Sequence, residues 1–395
     1  MEYIKLGELF KITSGGTPNK KNNEFYYNGN IPWIKTADLK VKDIIKSSEY
    51  ITELAVQKSS AKLFPKQTVL IAMYGATIGA TSILRIEATT NQACCAFLPN
   101  DKIASEYLYY FFKANKQKIV NMGVGGAQPN ISASILKGIK IPFINLDRQL
   151  VIVEILDKAQ ELIDKRKEQI QALDELIKSQ FIEMFGDPVS NPKGWKKAVC
   201  KEITSKIGSG ATPSGGNSSY KEEGISLIRS MNVHNNKFVY KDLAFIDDEQ
   251  AKKLKNVIIE ENDILLNITG ASVARSCIVP SSILPARVNQ HVSIIRCKTE
   301  EILPIFLVYQ FTSQSYQRKL WDIATSGGAT REAITKQQLE NLELIVPPIE
   351  LQNQFADFVK QVDKLKVKME KSLKELEDNF NSLMQRAFNG ELFSE

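Results

Sequence analysis

Two stretches of the 395-residue chain repeat apolar residues at alternating steps of three and four. In the first they are Ile152, Leu156, Ala159, Ile163, Ile170, Leu173, Ile177 and Met184, interrupted at Arg166 and Gln180. In the second they are Phe355, Val359, Val362, Met369, Leu373, Leu376, Phe380, Leu383 and Ala387, interrupted at Lys366. Heptad spacing sustained this long predicts long helices with a coiled-coil seam. Gly186-Asp187-Pro188 stops the first, and about 39 residues rising 1.5 Å each make a rod of roughly 58 Å. The apolar runs Thr68 to Met73 and Asp263 to Ile268 lack this period and sit between turn residues, which predicts buried strands. Aromatic-rich segments, Glu106 to Val120 and Pro304 to Asp322, read as helices, each followed by a glycine turn and a short strand ending in proline, Ile139 to Pro142 and Leu342 to Pro347.

These elements occur twice in the same order. Ser14-Gly15-Gly16-Thr17-Pro18 has its counterpart in Ser209-Gly210-Ala211-Thr212-Pro213, and Pro32-Trp33-Ile34-Lys35 in Ser226-Leu227-Ile228-Arg229. Asn91-Gln92 answers Asn289-Gln290, Gly125-Gly126-Ala127 answers Gly327-Gly328-Ala329, and Ile141-Pro142-Phe143-Ile144 answers Val346-Pro347-Pro348-Ile349. A tandem duplication explains this, with insertions absorbed by loops. It divides the chain into an α+β architecture of two β-rich globular segments, residues 1–146 and 188–349, each followed by a helical segment, residues 147–187 and 350–395.

Charge follows the same division. The overall excess of +6 becomes +8 in residues 1–146, −4 in 147–187, +4 in 188–349 and −2 in 350–395. Two basic globules joined to acidic helices suit a protein that grips two stretches of a polyanion. Composition excludes a disordered or collagenous chain, and length alone suggests two to three globular units. The start Met1-Glu2-Tyr3-Ile4-Lys5 lacks the layout of a signal peptide, and no apolar run reaches membrane-spanning length, so a cytoplasmic location is expected. The five cysteines, Cys94, Cys95, Cys200, Cys277 and Cys297, form no CxxC pair and indicate neither a disulfide framework nor a zinc knuckle.

The signatures of catalysis are missing. Both histidines, His234 and His291, lie in the second half, so no His-dependent active site is duplicated. No GxxxxGK[ST] phosphate loop occurs. Val346-Pro347-Pro348-Ile349 resembles an amino-methyltransferase signature but lacks its polar first residue and its aromatic; it reads as a strand end. The glycine pairs serve either as nucleotide cradles or as simple turns. Asn and Gln are able to bond adenine bidentately, but buried amides that brace a loop are also common. A coiled-coil scaffold without nucleic-acid binding and a stand-alone methyltransferase or nuclease are the competing readings. Segregated charge opposes the first, and the missing glycine-rich methyl-donor motif or paired-carboxylate metal site opposes the second.

Loop positions that could donate to phosphates or read base edges form the candidate interface. In the first half these are Thr17, Lys20, Lys21, Lys35, Thr36, Tyr74, Thr77, Asn91, Gln92, Gln128 and Asn130. In the second they are Thr212, Ser214, Arg229, Ser230, Asn267, Thr269, Arg275, Asn289, Gln290, His291, Thr330 and Arg331. No residue is assigned to catalysis, a cofactor or a metal.

The ordered double occurrence of these motifs resembles the specificity subunit of type I restriction-modification systems. The resemblance rests on the SGGTP-like turns, on Leu-x-x-Gln helix starts (Leu146-Asp147-Arg148-Gln149; Leu351-Gln352-Asn353-Gln354), and on long helices closing in Met184-Phe185-Gly186 and Phe388-Asn389-Gly390. It implies two target recognition domains that read an asymmetric two-part DNA site, with the helices packed antiparallel as a spacer under a pseudo-two-fold repeat. It further implies docking of two modification subunits, which methylate adenine N6 with S-adenosylmethionine, and of restriction subunits, which use ATP and magnesium. This chain would hold none of those cofactors. The sequence differences between the halves, Tyr74 against Thr269 and Gln128 against Thr330, imply two different half-sites.

Overall fold

The computed structural model describes residues 2–123, 130–213, 215–326 and 332–392, with the backbone alone of Asn217. The chain packs into two units, the described residues of Met1–Glu168 with Glu370–Glu395, and those of Gln169–Met369. Both borders fall inside the long helices, so each unit takes part of each helix. Among the described residues, no helix is long and apolar enough to cross a membrane.

The first unit contains a five-stranded sheet in the order Ile12–Ser14, Cys94–Phe97, Val69–Ala72, Thr81–Leu84, Asp43–Ile44. Its second sheet runs Tyr50–Ile51, Ile31–Ile34, Ala88–Thr90, Leu63–Phe64. The second unit repeats the plan with Thr204–Ser209, Val292–Cys297, Ile264–Asn267, Ser276–Ile278, and with Ala244–Ile246, Ile225–Ile228, Ala286–Val288. A parallel pairing among mostly antiparallel ones is duplicated: Ile31–Ile34 lies parallel to Ala88–Thr90, and Ile225–Ile228 parallel to Ala286–Val288. The predicted strands within Thr68 to Met73 and Asp263 to Ile268 are Val69–Ala72 and Ile264–Asn267, buried at every position, as continuous apolar runs require. A two-stranded ribbon closes each repeat, Glu2–Lys5 with Lys140–Phe143 and Lys197–Val199 with Glu343–Ile345.

The helical segment behind the sheet differs between the units. In the first it is one helix, Ser105–Asn121. In the second the expected single helix is two, Pro304–Thr312 and Gln314–Thr325, because Ser313 takes extended angles (φ −64°, ψ 148°) and its hydroxyl bonds back to the Gln310 carbonyl. A serine that caps its own preceding turn competes with helix propagation.

The central helix is Leu146–Phe185 and the C-terminal helix Ile349–Asn389. Gly186 (φ 75°) and Gly390 (φ 85°) follow them in the left-handed conformation of a helix stop. Leu156, Ile163, Phe380, Met384 and Phe388 enter the core of the first unit, with Leu373, Leu376 and Leu383 packed against it. Leu173, Ile177, Phe355, Val359 and Val362 enter that of the second, with Met369 against it; Ile170 is half-buried. In the second unit Asp174 meets Lys366 at 2.6 Å while Phe181 meets Phe355, so the helices run antiparallel there. In the first unit Lys167 meets Glu377 at 2.8 Å. Residues 164–172 and 363–379 contain no buried side chain, so the interrupted middle of each heptad run is also its most solvated part.

The buried glutamine at each helix start corrects one motif. Gln149 Nε2 donates to the Lys102 and Ile144 carbonyls at 2.8 and 2.9 Å, while its Oε1 accepts from Ala104 N–H at 2.9 Å. Gln352, not Gln354, does the same: Nε2 to the Glu301 and Pro347 carbonyls at 3.2 and 2.8 Å, Oε1 from Leu303 N–H at 2.8 Å. Both side chains are fully enclosed (0 % exposed) whereas Gln354 is exposed. The repeated signature is therefore Leu146-x-x-Gln149 and Ile349-x-x-Gln352, counted from the first helical residue.

Candidate nucleic-acid interface

At one end of the parallel pair Ile31–Ile34 with Ala88–Thr90, and of its counterpart Ile225–Ile228 with Ala286–Val288, several loops are tied together by backbone bonds, most of which recur between the units. In the first unit Gly16 N–H donates to the Thr90 carbonyl (2.9 Å), Asn91 N–H to Ile34 (2.9 Å) and Met73 N–H to Ala93 (2.9 Å). In the second, Gly210 N–H donates to Asn289 (3.1 Å), Asn289 N–H to Ile228 (3.1 Å) and Ile268 N–H to His291 (2.9 Å). The chain then returns to each cluster, Ile131 N–H bonding to the Met73 carbonyl and Ile334 N–H to Ile268, both at 2.8 Å.

The glycines of the opening turns have a steric reason. A Cβ on Gly15 would land on the Thr90 carbonyl oxygen and one on Gly210 on the Val288 carbonyl oxygen. The turns pass too close to a neighbouring strand for any side chain. In the first unit Trp33 Nε1 also donates to the Gly16 carbonyl at 3.1 Å and the Tyr26 hydroxyl to Pro18 at 2.7 Å. Sequence reasoning missed these two braces, since the aromatics stand 17 and 8 residues from the carbonyls they bond.

Side chains common to both clusters come first. The Thr17 hydroxyl donates to Gln92 Oε1, and the Thr212 hydroxyl to Gln290 Oε1. Lys35 and Arg229 follow the strands Ile31–Ile34 and Ile225–Ile228, and each has its backbone N–H held by a side chain three residues on, Asp38 at 2.8 Å and Asn232 at 3.1 Å. The cations themselves are engaged differently. Lys35 pairs with Glu49, whereas Arg229 donates to the Asp242 carbonyl and lies 5.3 Å from the Tyr220 ring centroid, its Nε without a partner. Arg287, on the strand Ala286–Val288, is 9 % exposed and also has an unpartnered Nε; burial pushes its pKa down.

Two candidates leave the surface. Asn267 is fully enclosed, its Nδ2 donating to the Ser230 and Val233 carbonyls at 2.9 and 3.4 Å. Asn289 is 4 % exposed and its Oδ1 accepts from His291 N–H at 3.0 Å. Both brace the cluster and offer no edge to an incoming molecule. Asn91 likewise lies half-buried with its backbone in the brace. Lys20, Lys21, Gln92, Asn130 and Gln290 are exposed, and Thr17, Thr36, Tyr74, Thr77, Thr212, Ser230, Thr269, Arg275 and His291 are partly so. Thr77 sits in the turn whose N–H at Ala80 bonds back to it (2.8 Å), and Arg275 carries the carbonyl that holds Asn267 N–H (2.8 Å). Gln128, Ser214, Thr330 and Arg331 lie outside the described residues.

The thiols are remote from chemistry. All five cysteines are buried, and burial pushes Cys94, Cys95, Cys200 and Cys277 up to about 12 and Cys297 upward as well. Among the described residues no group of three His, Cys, Asp or Glu side chains could hold a metal.

A family model for the "Type I restriction modification DNA specificity domain" matches residues 1–174 and again 192–378. The type I restriction enzyme MjaIX specificity subunit of Methanocaldococcus jannaschii is 27 % identical, over 98 % of this chain and 92 % of its own length. The EcoR124I/EcoR124II specificity subunit of Escherichia coli is 34 % identical over 46 % of each chain. The fold is shared with a solved chain from "Structural basis underlying complex assembly and conformational transition of the type I R-M system" (TM-score 0.66, 17 % identity, 99 % of this chain and 98 % of that one covered). It is also shared with the type I restriction-modification S subunit from M. genitalium (TM-score 0.50, 15 % identity, 98 % and 96 % covered).

Proposed function

Because the chain belongs to the family of type I restriction-modification DNA specificity domains and carries that domain twice, we propose that each loop cluster reads one half of an asymmetric two-part DNA site. The observation that carries this is the duplicated brace: the bonds from Asn91 and Asn289, from Met73 and Ile268, and from Ile131 and Ile334 recur in both clusters, while the side chains presented by them differ. A frame held constant under changing side chains is what separate readout of two DNA words requires. The long helices, shared by both units, set the gap between the half-sites, as protein symmetry sets half-site spacing in dimeric DNA binders.

The chain performs no catalysis itself. Two modification subunits dock on the helices and methylate adenine N6 using S-adenosylmethionine; restriction subunits, with ATP and magnesium, join the same assembly in the cytoplasm. Mapping of methylated bases in cells carrying the modification subunit, with and without this chain, tests the reading. An asymmetric two-part motif should be modified only when the chain is present. A motif that persists without it, or one with a single uninterrupted word, would overturn the assignment.

A further inference from the structure

The Thr–Gln pair is common to both clusters, but in the second unit the glutamine is also held at its other end. Gln290 Nε2 lies 3.0 Å from His291 Nε2, and His291 Nδ1 lies 2.6 Å from Thr269 Oγ1. An amide nitrogen only donates, so His291 Nε2 accepts and the ring proton sits on Nδ1, donating to the Thr269 hydroxyl. The chain thus runs from the Thr212 hydroxyl to Gln290 Oε1, from Gln290 Nε2 to His291, and from His291 to Thr269, tying three loops. In the first unit Ala93 and Tyr74 stand at the corresponding positions, so the imidazole has no counterpart.

This chain consumes one amide hydrogen and one oxygen lone pair of an exposed side chain. A primary amide has two of each, so one donor and one acceptor remain. Adenine presents their complement in the major groove, an N7 acceptor beside an N6 donor, while guanine presents two acceptors and would set O6 against the amide oxygen. Holding both ends of the amide removes rotamer freedom that binding would otherwise have to remove. We propose that Gln290 reads an adenine in the half-site of the second domain, with His291 as the positioning residue that fixes which end of the amide donates.

The inference rests on the DNA-reading function proposed above, and the experiment separates the two. The full-length chain, co-purified with its modification subunit, is used to select duplexes from a library randomised over both half-sites, as wild type and as Gln290→Ala, Gln290→Glu and His291→Phe. Wild type should require adenine at one position of the second half-site, and Gln290→Ala should relax that position on the order of tenfold to a hundredfold. Gln290→Glu, nearly isosteric and carrying only acceptors, should move the preference to cytosine, whose N4 amino group donates. His291→Phe should relax the same position several-fold and leave the first half-site untouched. A selective wild type whose preferences survive both Gln290 substitutions would overturn this inference alone. A wild type that selects no sequence would overturn the DNA-reading function itself.

Discussion

The two loop clusters have the same skeleton and different faces. Gly15 and Gly210, and the bonds that Asn91 and Asn289 donate to the Ile34 and Ile228 carbonyls, recur because each fixes where a loop runs. Ala93 against His291, Tyr74 against Thr269, and Lys35 against Arg229 differ because the recurring backbone bonds do not depend on these side chains, even where, as with His291 and Thr269, they add a further tie between loops. After duplication, positions that close the frame are constrained by sterics, and positions that face outward are free to diverge. The same contrast extends to the cores. In the first unit Phe388 packs on Tyr107 and Phe111 and Phe380 on Tyr110; in the second, Phe181, Phe185, Phe306 and Phe355 form one aromatic cluster.

The largest effect should come from emptying either core. Phe185→Ala in the second unit or Phe388→Ala in the first should cost about 3–5 kcal/mol. The thiols report which unit opens: Cys94 and Cys95 lie in the first, Cys200, Cys277 and Cys297 in the second. Pulsed labelling during mild denaturation should expose two thiols first in Phe388→Ala and three first in Phe185→Ala. Simultaneous exposure of all five in both variants would mean that the units do not unfold independently.

A middle-sized effect is expected at the enclosed glutamines. Gln149→Leu and Gln352→Leu each strand two carbonyls and one N–H, a loss of about 2–3 kcal/mol. The two losses should be equal within error by urea denaturation. A marked inequality would show that the duplicated hydrogen bonds no longer do duplicate work.

The smallest effect concerns the paired cations. Arg229→Ala and Lys35→Ala should change folding stability by less than about 1 kcal/mol, since both are partly exposed. DNA affinity should fall more for Arg229→Ala, because Lys35 must first leave a charged partner, Glu49, whereas Arg229 gives up an uncharged carbonyl, that of Asp242. Salt titrations of binding by the two variants check this; an equal loss would remove the ion pair from the explanation.

The long helices, the duplication and the buried strands were legible because each has a period or a contiguous run that survives without three-dimensional information. Three features were not. Asn267 and Asn289 looked like base-reading amides because their residue type is right, but inward orientation depends on strand register that the sequence does not display. The Gln352 equivalence was misplaced by two residues because matching letters is weaker than counting from the first helical turn. The break at Ser313 was hidden because serine stops a helix only when its hydroxyl finds a nearby carbonyl, here that of Gln310.

The division of each long helix between two cores has a consequence for how the molecule is made. Residues 169–369 are contiguous and can complete their core as soon as they are synthesised. The first unit cannot, although its strands emerge earliest, because Phe380, Met384, Ala387 and Phe388 are part of its core. Its closure therefore waits for nearly the whole chain, with contacts such as Phe388 on Tyr107 linking residues almost three hundred positions apart. Such long-range closure is slow and leaves apolar surface uncovered meanwhile. The domain translated first should thus be the last to close, and nascent chains halted before residue 380 should carry an open first unit beside a finished second one.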